Sequence, residues 1–274
     1  MTETGAPPKG APVLAFFAVL VAASLIAVFG IAVARSPERL SVLVYHHIED
    51  PATSDVSCTP AQFSAQMAAL LANGFTPLGL GQVRLFLTGG LPQVRNPVLI
   101  TFDDGYESLY LHALPVAKKL NIPMTVFVVT SRIGLKPQFA RYLSAGQIRE
   151  MVRAGWFEFG SHTDNLHTDL MRIWNAFESA SPPPLASAVS ADLAQSRDTL
   201  SVLIGTSPIA LAWPYGKFNE ETRTIASGTG FVMHFTSRSG YNEPGDDLFG
   251  IRRIPVTQRD TPETVVRKAC GSWF

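Results

Sequence analysis

From residue 40 onward the chain alternates short apolar runs with amphipathic stretches of helical period, and this alternation restricts the possible fold more than any other feature. Apolar runs at 40–45, 98–102, 124–130, 156–159 and 209–213 are bounded by turn signals and read as buried strands, with further strands near Phe231 and Ile251. Between the first two, Phe63, Met67, Leu70 and Leu71 recur at helical spacing, started by Thr59-Pro60 and stopped by Asn73-Gly74. Further helices are predicted over 80–87, 108–120, 146–153, 191–203 and 220–227, with a last one after Pro262. Strands and helices in this order call for parallel pairing with helical crossovers, in an open sheet or a closed barrel; the pattern alone does not choose. Segment 171–189, with three consecutive prolines, reads as an irregular insertion.

The stretch 12–34 has no charged residue and is apolar throughout, long enough to cross a hydrocarbon core of about 30 Å as a helix. Ala32-Val33-Ala34 is like a signal-peptidase site, but the apolar run exceeds the usual signal-peptide core, so an uncleaved transmembrane anchor is expected. The predicted organisation is a tail at 1–11, a membrane segment at 12–34 and one catalytic domain at 40–274. Twenty-two Lys and Arg balance twenty-two Asp and Glu, which removes any global electrostatic case for binding nucleic acid and favours a neutral partner. Two cysteines, Cys58 and Cys270, have no zinc-knuckle spacing; a single disulfide between them stays open.

The chemistry gathers at predicted strand ends, where loops of α/β folds converge on a rigid support. Asp103 and Asp104 stand where the run 98–102 gives way to Gly105. Taken alone, Asp-Gly is an ordinary turn signal. His162 and His167 follow another strand end; five apart, they point about 140° apart on an ideal helix, so they converge on one ion more easily from a loop. Two imidazoles and one carboxylate make the ligand set of a catalytic zinc site with one position open. His46 and His47 close the first strand.

These pieces, Val42-Leu-Val-Tyr-His46-His47-Ile48, Leu99-Ile-Thr-Phe-Asp-Asp-Gly-Tyr106, Gly160-Ser-His-Thr with His167, and Ala212-Trp-Pro-Tyr-Gly216, occur in the order seen in NodB-type polysaccharide deacetylases, carbohydrate esterase family 4. The resemblance spans about residues 40–256, and Phe63-Ser-Ala-Gln-Met67 and Gly74-Phe-Thr-Pro-Leu78 look most like the branch acting on poly-β-1,6-N-acetylglucosamine. It implies a distorted (β/α) barrel, Asp104, His162 and His167 as ligands of a divalent metal such as Zn2+, Asp103 as general base and the Tyr215 backbone N–H as an oxyanion donor. The spacing of the residues does not by itself rank the two aspartates. The implied substrate is an N-acetylated polysaccharide outside the cytoplasm. Peptidoglycan, a chitin-like glycan and a noncatalytic glycan-binding role are the alternatives.

The chain departs from the wider family in two places. Trp213 precedes Pro214 where many relatives carry an arginine that orients the base, and no histidine follows His234 to act as acid. His46, which ends the first strand in an arrangement that resembles the poly-N-acetylglucosamine branch, is expected to be the general acid, with His47 facing away if the strand continues. His112 and His234 are expected to be structural. Trp213, Tyr215 and Tyr106 are candidate faces for stacking a sugar ring, and Arg252-Arg253 is either bridged to an acidic residue of the site or solvated, the solvated reading being preferred.

Overall fold

Residues 39–91, 94–138, 140–167 and 184–271 are described in a computed structural model of the chain. The strands are β1 Ser41–Tyr45, β2 His47–Ile48, β3 Ser57–Cys58, β4 Thr76–Pro77, β5 Pro97–Phe102, β6 Met124–Val128, β7 Phe157–Ser161, β8 Ala210–Ala212, β9 Met233–Phe235 and β10 Ile254–Pro255. The helices are α1 Pro60–Ala72, α2 Leu80–Leu87, α3 Leu114–Leu120, α4 Ala145–Ala154, α5 Pro184–Ile204, α6 Glu220–Thr229 and α7 Pro262–Cys270. Local chemistry explains the helix ends. Thr59 and Gln62 form a reciprocal capping box at α1, Ser144 and Gln147 repeat it at α4, and Gly155 ends α4 in the left-handed conformation.

Eight strands form one sheet, with the path β10-β1-β5-β6-β7-β8-β9 and β4 attached to β5. Every pairing along it is parallel. Ile251, just ahead of β10, bridges Phe235 of β9, so the two ends of the path meet and the sheet curls. The alternation of strand and helix left open sheet and closed barrel equally possible. Long-range pairing at the ends of the path decides for a curled one. All six residues of β5 and all five of β1 and β6 are buried, as expected of strands covered on both faces. Burying each large apolar side chain there contributes about 1.5–3 kcal/mol. Gly160 in β7 marks a close approach: an added Cβ would meet the Phe127 ring at 2.7 Å and the Ala210 carbonyl at 2.8 Å.

Some sequence expectations need correction. The helix expected over 108–120 begins as a π-turn, Leu109–Ala113, before becoming α3. Helix α5 starts at Pro184, inside the segment read as irregular, because a proline is tolerated in a first helical turn. The rest of that insertion, 168–183, lies outside the described residues, as does the apolar segment 12–34. Among the described residues no helix is long and apolar enough to cross a membrane. Cys58 and Cys270 are free thiols, the first buried and the second exposed; burial pushes the Cys58 thiol up to about 12, out of the reactive range.

Candidate active site

The site lies at the carboxyl ends of β1, β5, β7 and β8, which follow one another through the sheet except for β6 between β5 and β7. Hydrogen bonding continues one residue past the strands: Asp103 N–H donates to Tyr45 O (3.0 Å), His162 N–H to Val128 O (2.8 Å) and Trp213 N–H to Phe235 O (3.0 Å). Immediately beyond, the backbone turns sharply. Asp104 (φ 71°), Thr163 (φ 70°) and Tyr215 (φ 55°) are left-handed, and the only other such non-glycine residues among those described are two asparagines, which tolerate it. Backbone strain is thus concentrated where the functional groups converge, and such strain persists only where neighbours over-determine it.

The ligating atoms of Asp104, His162 and His167 all lie within 4.8 Å of one another. His167 Nε2 is 2.9 Å and His162 Nε2 is 3.8 Å from Asp104 Oδ1. That buried oxygen has no well-aligned hydrogen-bond donor, so a carboxylate acceptor and two imidazole edges face one point without satisfying one another. His162 Nδ1 sits 2.7 Å from the Ala212 carbonyl, which directs Nε2 inward, as backbone carbonyls orient metal-ligating histidines. Burial dominates the His162 imidazole and holds its pKa below the ordinary value, against the pull of both aspartates. A neutral imidazole is the form that ligates. Burial opposes ionisation of Asp104, but the His167 imidazole beside it, with those of His162 and His46 nearby, outweighs burial and keeps the carboxyl far below its usual range. A neutral imidazole beside an ionised carboxylate and a second histidine fits a divalent cation.

Asp103 turns instead to Arg253. Arg253 Nη1 donates to Oδ1 (2.7 Å) and Nη2 to Oδ2 (2.8 Å), while Nε donates to Thr236 O (2.9 Å). Both side chains are buried. Burial pushes the Asp103 carboxyl up, but Arg253, aided by His162, holds it below its ordinary value. Of the two readings of Arg252-Arg253, the salt bridge to an acidic site residue holds for Arg253, and the preferred solvated one does not. The arginine missing before Pro214 is supplied from the strand region before β10, and the readable signal was a cation on the same alternation as Ile251 in an otherwise apolar run.

His46 falls in the break between β1 and β2, its Nδ1 buried without a partner, and it lies near enough to lower both aspartates electrostatically. Because the strand breaks there, His47 does not simply face away; its ring packs 4.6 Å from that of Tyr106. Tyr106 also stacks on Tyr142 at 5.1 Å, so this ring is engaged by protein neighbours. Trp213 is fully buried, stacked on Phe218 and edge-on to His234. It cannot offer a face to a sugar, and that expectation is corrected. The exposed aromatic is Tyr215, 59 % accessible, with its ring 5.6 Å from that of His167. Its turn depends on Gly216, where a Cβ would lie 2.1 Å from the Ser237 nitrogen. His234 is buried, as expected of a structural residue, and His112 lies in the π-turn.

The polysaccharide deacetylase family profile matches residues 91–234. A poly-beta-1,6-N-acetyl-D-glucosamine N-deacetylase of Staphylococcus epidermidis is 31 % identical, the match covering 78 % of this chain and 73 % of the relative. Among solved structures, IcaB from Ammonifex degensii is 29 % identical with a TM-score of 0.73, over 86 % of this chain and 98 % of that one. The Streptococcus pyogenes deacetylase PplD, in complex with acetate, is 26 % identical with a TM-score of 0.72, over 85 % and 99 %. With the curled parallel sheet and the four motifs gathered at one edge, these likenesses establish that the chain belongs to the polysaccharide deacetylase family, as a NodB-type member of carbohydrate esterase family 4 and a hydrolytic N-deacetylase.

Proposed function

We propose that this enzyme is a divalent-metal-dependent deacetylase of poly-β-1,6-N-acetylglucosamine, working outside the cytoplasm on a membrane tether formed by residues 12–34. The observation that carries the metal reading is the buried Asp104 Oδ1, faced by two histidine edges and left without an aligned donor. Asp104, His162 and His167 would hold the cation, and the mixed nitrogen and oxygen donor set suits zinc. When bound, such an ion supplies Lewis acidity to the acetyl carbonyl and to the attacking water. Asp103 accepts the proton of that water; each of its oxygens keeps a lone pair after bonding Arg253, which fixes the carboxylate plane. The Tyr215 N–H, presented by the left-handed turn, donates to the oxyanion. His46 returns a proton to the leaving nitrogen, which becomes the free amine of glucosamine as acetate departs. Tyr215 offers the exposed ring against which a sugar can stack. The β-1,6-linked glycan is favoured by the Staphylococcus epidermidis relative, whose name states that substrate, and by the motif likeness to that branch.

The test is acetate release by the detergent-solubilised full chain from β-1,6-linked and β-1,4-linked N-acetylglucosamine oligomers, before and after chelation and after adding Zn2+. The expected result is release from the β-1,6 series, loss with chelator and recovery with Zn2+. Activity confined to the β-1,4 series would reject the glycan; activity indifferent to chelation would reject the metal.

A further inference from the structure

His162 and His167 lie on one loop, and its peptide groups are gripped from two sides. Carbonyls face the turn after β6: Thr130 N–H donates to Thr163 O (3.1 Å) and Ser131 N–H to Asp164 O (3.2 Å). Amides face helix α5. Asp164 N–H donates to Asp192 Oδ1 (2.8 Å) and Asn165 N–H to Asp192 Oδ2 (2.7 Å). Ser196, one turn further along α5 and fully buried, pairs with Ser161 Oγ at 2.6 Å, and Ser161 Oγ in turn accepts from Thr163 N–H (3.0 Å). Of these two side chains, four apart on one helix face, Asp192 engages the amides of residues 164 and 165 directly and Ser196 reaches that of Thr163 through Ser161 Oγ.

We infer that Asp192 and Ser196 form a clamp that positions the loop between the two histidines and so sets the enzyme's affinity for its divalent cation. This rests on the metal reading above. The physical reason is that the loop contains the left-handed Thr163 immediately after His162, a conformation that a β-branched residue abandons unless its surroundings hold it. Relaxation of that turn would separate His167 from His162 while leaving the strand that carries His162 intact. A carboxylate suits the task better than an amide, because both oxygens of Asp192 accept from successive N–H groups. Asparagine would turn its own NH2 toward one of them. Neither Asp192 nor Ser196 belongs to the ligand set, so both are positioning residues.

Zinc affinity is measured for the detergent-solubilised full chain by competition with a chromophoric chelator, for wild type, Asp192→Asn, Ser196→Ala and Leu200→Ala. Leu200 is a buried apolar residue of the same helix, and its truncation weakens the fold without touching the loop. Outer partners of metal ligands typically govern affinity by about 10- to 100-fold, and a loss of that size is expected for Asp192→Asn. A smaller loss is expected for Ser196→Ala, none for Leu200→Ala, and saturating Zn2+ should restore most turnover in Asp192→Asn. Wild-type affinity in Asp192→Asn, or an equal loss in Leu200→Ala, overturns the clamp. If Asp192→Asn does not fold, unchanged affinity in Ser196→Ala overturns it instead. A wild-type chain that binds no Zn2+ defeats the metal reading itself, and the clamp falls with it.

Discussion

Replacing Arg253 with methionine keeps most of the volume against Phe127, whose ring the guanidinium overlies at 5.8 Å, but removes the partner of a buried carboxylate. Two charge-assisted hydrogen bonds to Asp103 disappear, and breaking a buried pair from one side costs about 3–5 kcal/mol because the remaining charge is uncompensated. A penalty of that size falls on the charged form alone and so moves the Asp103 carboxyl up. Burial, already the largest influence on that group, then acts without its main opponent. In wild type the folded carboxyl titrates below its unfolded value, so its contribution to stability is present at neutral pH and lost as pH falls through the folded value. In Arg253→Met the order reverses: the folded value lies above the unfolded one, and stability is lost as pH rises between them. The gap in unfolding free energy between the two proteins should therefore be widest near neutrality and shrink on acidification. The assays are denaturant unfolding across pH and acetate release across pH at saturating Zn2+, where the acidic limb of kcat/KM should shift upward. The double variant Asp103→Asn with Arg253→Met should regain part of the lost stability, since neither charge of the pair remains. An unmoved acidic limb together with a pH-independent stability difference would refute the argument that Arg253 maintains the base.

His234 provides a separate pH test: burial lowers its pKa to about 4, so stability should be complete above the unfolded value near 6.5 and decline by about 3 kcal/mol as pH falls from there to about 4. His234→Leu should flatten that part of the stability curve, and an identical curve would show that its protonation is irrelevant. For the two aromatics of the last motif, Tyr215→Ala should raise KM for oligomers with little change in melting temperature, whereas Trp213→Ala should destabilise the fold by about 3–5 kcal/mol. The reverse assignment would follow if Trp213→Ala melted like wild type and lost only substrate affinity.

Much of the architecture was readable because buried parallel strands and amphipathic helices impose local periodicities. The run 97–102 and the capped helix 60–72 need only their own residues to declare themselves. Asp103, Asp104, His162 and His167 were readable for a related reason: they occupy strand ends, and strand ends are local features. The family likeness then distinguished two adjacent aspartates that spacing could not. Curling of the sheet was not legible, because it depends on Ile251 meeting Phe235 across the ends of the strand path. The partner of Asp103, 150 positions away, was legible only as one of two readings of Arg252-Arg253, since an arginine beside an arginine in a short late segment has nearly the same local pattern whether it is solvated or buried. Trp213 and Tyr215 are two residues apart and equally plausible as sugar platforms in the chain, yet packing on Phe218 and His234 buries one ring while the left-handed turn exposes the other. Period and residue type act over a few neighbours and are written in order along the chain; charge pairing, ring burial and loop clamping depend on distances between segments that only the folded backbone brings together.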